Sequence, residues 1–144
     1  MVKHLHRKGE ITLDDILSRL YLRENAHRIG AIAVFIGVVR GLSSKGDVEK
    51  LEIEAYEEMA EGRLEKICKE LENKNGIVAV EIHHFTGEFK VGETLVYVVV
   101  AGSHRKEVFE VLREAVERYK REVPIFKKEI LKNGESYWVE EYTI

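Results

Sequence analysis

Tyr119-Lys120-Arg121-Glu122-Val123-Pro124-Ile125-Phe126-Lys127-Lys128-Glu129 carries the only proline of the chain, and the architecture is read outward from that break. Proline lacks an amide proton, and its ring pushes the preceding residue out of helical geometry. A helix passing through Tyr119 therefore stops near Glu122 or Val123, and an extended segment begins. Five cations and one anion lie between Arg118 and Lys128. Lys120 falls in the last helical turn and Lys127 a few residues into the next element, so a tight connection can aim both ammonium groups at one anionic ligand. That arrangement suits chemistry on phosphate or acyl groups. The competing reading is a set of solvated cations that only complement the helix dipole.

Upstream of the break, Val108, Leu112, Ala115, Val116 and Tyr119 make the apolar stripe of a helix over about 104–121. Downstream, Asn133-Gly134 favours the primed turn of a hairpin joining Ile125–Leu131 with Ser136–Tyr142. Towards the N-terminus, Thr12 and Asp15 form a capping box, and Leu13, Ile16, Leu17 and Leu20 place a helix near 13–25. Gly30 to Val39 is almost uniformly apolar and rich in β-branched residues, which predicts a strand buried on both faces, with Arg40 emerging at its end. Gly41 to Asp47 has turn-forming composition and reads as a mobile surface loop. Val48 to Tyr56 alternates apolar and polar residues as a half-exposed strand does.

Leu64, Ile67, Cys68 and Leu71 repeat at helical spacing, and Asn73 to Gly76 supply the helix end. Ile77–Phe85 and Thr94–Ala101 read as strands, with Gly87 and Gly92 in their connection. The order α-β-β-α-β-β-α-β-β describes an α+β domain, because consecutive strands with short links usually pair antiparallel.

A chain of 144 residues suits one domain over residues 1–144, with 1–10 expected to be a frayed terminus. The longest apolar run, Ala31 to Val39, is about half of what a bilayer-crossing helix needs. The N-terminus lacks the apolar core of a signal peptide, so a cytoplasmic location is expected and no membrane partner. Cys68 is the sole cysteine, which excludes an intramolecular disulfide and a cysteine-built zinc site and suggests a buried thiol. A net charge of −3 argues against a protein whose main task is to hold nucleic acid.

His83 and His84 are adjacent and so point to opposite faces of a strand, while His4 and His6 fall in the terminus expected to fray; no metal site is expected. No Gly-rich nucleotide loop and no local nucleophile triad signature is present. Ser103-His104-Arg105 lies where a strand passes into a helix, so free backbone amides and two potentially cationic side chains converge on a plausible phosphate site. The alternative there is a serine N-cap with His104 and Arg105 exposed and idle.

Several segments, in order, resemble the large, catalytic subunit of molybdopterin synthase. They are Gly30 to Arg40, Leu51 to Ala60, His83 with Gly87-Glu88, Val91-Gly92-Glu93, Ser103-His104-Arg105, Lys120 to Glu129 and Trp138-Val139-Glu140. The resemblance implies an α/β hammerhead-like α+β fold with a small antiparallel β subdomain, and a homodimer within a heterotetramer. It implies a sulfurtransferase of molybdenum cofactor biosynthesis with no resident cofactor. A small ubiquitin-like sulfur-carrier partner would bring sulfur as a thiocarboxylate on its C-terminal Gly-Gly tail. Two sulfurs would pass to cyclic pyranopterin monophosphate, giving molybdopterin.

Carried over by position, Lys120 and Lys127 are the catalytic pair, and Arg40, His104 and Arg105 bind the anionic pterin, with Phe35 as an aromatic beside it; the alternative for Phe35 is burial in the core. Tyr56 and Met59 match the motif, but packing at the start of a helix is their expected purpose. The chain departs from the family in Phe126 where tryptophan is common, Glu57 where proline is, and His84 where arginine is. The loop after Arg40 lacks the common Asn-rich start, and Glu141 and Tyr142 follow the Trp-Val-Glu motif where some relatives have an arginine. Two other classes fit the cations: a non-catalytic dimeric binding module for an anionic small molecule, which would not need both lysines, and a nucleic-acid-binding α+β domain, which would show steep salt dependence.

Overall fold

The computed structural model describes residues 2–139. The first strand, β1 (Leu5–Arg7), is followed by α1 (Leu13–Tyr21), a 3₁₀ turn (Ala26–Arg28), β2 (Ala31–Val38), β3 (Leu42–Ser43) and β4 (Gly46–Ala55). Then come α2 (Glu57–Glu72), β5 (Ile77–Lys90), β6 (Thr94–Gly102), α3 (Arg105–Glu122), β7 (Ile125–Leu131) and β8 (Ser136–Trp138). This is the α+β architecture expected. Strands run in the order β2-β6-β5-β4-β7-β8, with β1 parallel to β5 and β3 antiparallel to β4.

Strand β5 joins two parts of the sheet. Its first half pairs with β6, and its second half, from Gly87 onward, pairs with β4. Gly87 stands at the change of partner with φ of 119°, a conformation that side chains with a Cβ rarely adopt. Beyond it, β4, β7 and β8 build the small antiparallel portion that carries the post-proline segment.

The two faces of the sheet have different covers. Ile16 and Leu20 of α1 pack with Ala79, Val99 and Ala101 on one face. On the other, Leu64, Ile67 and Leu71 of α2 and Val108, Val111 and Ala115 of α3 pack with Val80, Ile82, Val98 and Val100. Full burial of each larger side chain contributes about 1.5–3 kcal/mol. Thr12 caps α1 reciprocally: its hydroxyl accepts from the Asp15 amide at 3.1 Å, and the Asp15 carboxylate accepts from the Thr12 amide at 2.9 Å. The helix ends at Tyr21, earlier than its pattern suggests, and the chain turns through the 3₁₀ segment towards β2.

Three expectations are overturned. The N-terminus does not fray: Leu5–Arg7 pairs with His84–Thr86, and the Glu61 carboxylate accepts from the amides of His4 and Leu5. Strand β2 is half-buried rather than fully buried on its two faces; it is the edge of the sheet, with Ile36 and Val38 exposed. Its apolar run reflects partial packing on both faces, with Ala31, Ala33 and Phe35 against one core and Ile32 and Val34 against the other. Residues 41–47 are not a structureless loop, because Leu42–Ser43 turns back on Gly46–Asp47 as a short hairpin. Asn133-Gly134 does form the β7–β8 turn, with Gly134 at φ of 91°. The part of the expected last strand beyond Val139, with Glu140, Glu141 and Tyr142, lies outside the described residues.

Candidate active site

Helix α3 ends where the proline requires. Val123 is already extended at φ −101° and ψ 127°, its amide donates to the Tyr119 carbonyl at 3.2 Å, and Ile125 opens β7. The Pro124 carbonyl accepts from the Tyr56 amide, which ties the connection to the end of β4. Lys120 is therefore held in the last turn of α3 and Lys127 at the third position of β7. Cross-strand register separates the neighbouring lysines. Lys127 lies opposite Ile53 and Glu129 opposite Leu51, both buried, whereas Lys128 lies opposite Glu52 on the outer face. Lys128 instead approaches the Trp138 ring, at 5.9 Å from its centroid.

Lys120, Lys127 and Arg40 line one cleft of about 330 Å³, together with Phe35, Tyr119 and Glu129. Arg40 reaches it because the end of β2 is pinned: the Val39 amide donates to the Glu93 carbonyl at 3.0 Å, and the Val39 carbonyl accepts from Gly92 at 2.9 Å. Among the described residues, three cations and a single carboxylate thus face one space, which favours an anionic occupant. Glu129 is held from outside by the Tyr137 hydroxyl, which also lies 3.0 Å from the Ser43 hydroxyl. Lys45 covers the Tyr137 ring at 4.1 Å, so the β3–β4 turn and β8 are clasped together at the rim.

His104 and Arg105 are elsewhere. They sit exposed at the first turn of α3, and Arg105 is separated from Lys120 by roughly 22 Å at the helical rise. One chain does not bring them to the lysines. Nor is Ser103 the cap: His104 occupies that position without a side-chain hydrogen bond, and the Ser103 hydroxyl donates to the Arg28 carbonyl at 3.0 Å. Tyr56 and Met59, expected to pack at the start of α2, are exposed instead, and Tyr56 meets the exposed Phe126 ring edge-on at 5.5 Å.

His83 and His84 do point to opposite faces. On the α1 side, His83 Nε2 is 2.6 Å from Glu81, His83 Nδ1 is 2.8 Å from His6 Nε2, and Arg19 pairs with Glu81 at 2.9 Å. Both ring nitrogens of His83 are engaged in hydrogen bonds, and no group of three potential metal ligands occurs among the described residues. On the α3 side, His84 is fully buried against Tyr119, with ring centroids 5.7 Å apart. Burial first, then the nearby charges of Lys127 and Lys120, push its pKa down to about 3. Burial likewise raises the Cys68 thiol far above its ordinary range, leaving it an inert core group.

Sequence reasoning missed Glu129 and the place of His84. The signal for Glu129 was the alternation that puts it two residues beyond Lys127 on the same face. For His84, the same alternation identifies the face but not the helix that covers it.

The MoaE protein family matches residues 6–122 of the chain. A molybdopterin synthase catalytic subunit from Pyrococcus abyssi is 41% identical over 111 residues, which cover 77% of this chain and 74% of the relative. A probable molybdopterin synthase from Haloferax volcanii is 38% identical over 131 residues, covering 90% of this chain but only 50% of that longer protein. The crystal structure of molybdopterin synthase from Staphylococcus aureus superposes with a TM-score of 0.82 at 32% identity, over 96% of each chain. The chain belongs to the MoaE family, whose curated members are catalytic subunits of molybdopterin synthase, an enzyme of molybdenum cofactor biosynthesis.

Proposed function

We propose that this chain is the catalytic subunit of a molybdopterin synthase that converts cyclic pyranopterin monophosphate to molybdopterin, taking two sulfurs from the thiocarboxylated C-terminus of a small partner subunit. The observation that supports it most is the convergence of Arg40, Lys120 and Lys127 on one cleft from the ends of β2 and α3 and from β7. In this reading Arg40 holds the phosphate, with Phe35 beside the pterin. The thiocarboxylate sulfur bonds to a substrate carbon as a carbon–oxygen bond there breaks, giving a thioester with the tail. Water then adds to the thioester carbonyl, negative charge builds on the acyl oxygen, and the acyl–sulfur bond breaks, leaving the sulfur on the substrate and a carboxylate on the tail. Lys120 and Lys127 stabilise that charge and exchange protons with the reacting groups. A Gly-Gly tail suits the cleft because it brings no side chains past the rim.

His104 and Arg105 enter the site from a second copy of the chain. The apolar edge strand β2, with Ile36 and Val38 exposed, suits such a homodimer, since an uncovered edge of this kind is otherwise a liability. A partner subunit on each copy then makes a heterotetramer.

Reconstitution with the thiocarboxylated partner and cyclic pyranopterin monophosphate tests the proposal. Dithiolene product is expected, and a partner lacking its last residues should bind far more weakly. No product from a folded, partner-bound complex would return the chain to the class of anion-binding modules.

A further inference from the structure

His84 places a buried nitrogen under the same cleft with no hydrogen-bond partner among the described residues. It lies opposite Val96 in the β5–β6 ladder, so it shares the sheet face of that cleft-lining residue, and its ring packs against Tyr119, another lining residue. Its Nδ1 is 2.9 Å from the Phe85 carbonyl oxygen. A carbonyl can only accept, so Nδ1 carries the proton and Nε2 carries a lone pair. That Nε2 is the unpartnered atom. Buried acceptors are seldom left without a donor, and those that are often mark a functional site.

We propose that His84 is a positioning residue for the lysine pair, its Nε2 lone pair serving as the buried acceptor that steers the Lys127 ammonium within the cleft. The catalytic meaning of this rests on the sulfur-transfer reading given above; the proposed hydrogen bond itself does not. A neutral acceptor orients an ammonium group without cancelling its charge, which a carboxylate in the same place would do. Burial and the two flanking lysines keep the ring uncharged at neutral pH, so the acceptor persists. Among the described residues, the other ionisable groups around the cleft are Arg40 at the end of β2, Tyr119 and Lys120 of α3, and Glu129 of β7. Strand β6 contributes only Leu95 and Val96.

The test is nuclear magnetic resonance of the full chain, without partner or substrate, with ¹³C-labelled lysine and ¹⁵N-labelled histidine. Wild type should show the His84 proton on Nδ1. An acceptor favours the charged lysine, so His84→Leu should lower the Lys127 midpoint by about half a pH unit or more, while His84→Gln, whose amide oxygen can accept, should keep it near wild type. Should leucine prevent folding, His84→Met fills the site without a comparable acceptor and replaces it. A proton on Nε2, or a Lys127 midpoint that is the same in the leucine or methionine variant as in wild type, overturns the proposal. Since nothing is turned over, this outcome is independent of whether the chain transfers sulfur. In single-turnover sulfur transfer, the lysine-dependent limb of the pH profile should move to lower pH in the same variants.

Discussion

Lys127 stands directly across the β4–β7 ladder from Ile53, a residue that is 2% exposed. That pairing turns the lysine towards the interior cleft, while Lys128, one residue on, faces Glu52 and solvent. A run of two lysines thus contains one group with a site and one without. Arg40 and Lys120 complete the same cleft from the ends of β2 and α3.

Arg40 is assigned to ground-state binding of the substrate phosphate. Arg40→Ala should weaken cyclic pyranopterin monophosphate binding by roughly tenfold or more, the scale of a lost charge-assisted contact, with little change in the rate at saturation. Equilibrium binding with the purified dimer checks this, and unchanged affinity would remove Arg40 from the phosphate site.

The separation of Arg105 from Lys120 along α3 leads to a complementation test. Chains carrying Lys127→Ala and chains carrying Arg105→Ala should each be nearly inactive alone. Mixed and allowed to exchange, they should recover about a quarter of wild-type activity, because half of the dimers are mixed and each mixed dimer holds one intact site. Failure to recover activity when exchange is shown by mass spectrometry would mean that both residues act within one chain or that Arg105 is not in the site.

Burial of His84 as a neutral ring gives stability a pH dependence of defined sign. Its folded-state pKa, about 3, lies below the ordinary value of 6.5, so the unfolded chain binds the extra proton between those limits. The stability associated with the neutral ring is fully present above about pH 6.5 and is lost as pH falls towards 3, at up to roughly 1.4 kcal/mol per unit. Denaturant melts of wild type and His84→Gln from about pH 7 to about pH 4 should show a clearly shallower slope for the variant. Parallel slopes would show that His84 does not titrate in this way.

Local signals in the sequence were legible. The Thr12–Asp15 capping box, the stop before Pro124 and the Asn133-Gly134 turn each act within a few residues and appear where their chemistry puts them. The lysine pair was legible for the same reason, since Lys120 and Lys127 flank a short break. What the sequence hid depends on pairing between distant segments. An apolar strand reads alike at the centre or at the edge of a sheet, so its pattern does not reveal that β2 is an edge and only half-buried. The pairing of Leu5–Arg7 with His84–Thr86 has no local sign, and neither has the short β3. His104 and Arg105 carry the right chemistry at a helix start, but the length of α3 keeps them from the lysines of the same chain, which no local pattern shows.

The central claim is that Lys127 and Lys120 act in sulfur transfer itself. Single-turnover product formation at saturating substrate and thiocarboxylated partner measures it most directly, with circular dichroism confirming the fold. Lys127→Ala should lower the rate by about 10²-fold or more, the scale of a lost electrostatic or proton-transfer group, with Lys120→Ala acting in the same direction and Lys128→Ala staying within about twofold of wild type. Near wild-type rates for both Lys127→Ala and Lys120→Ala would contradict the account.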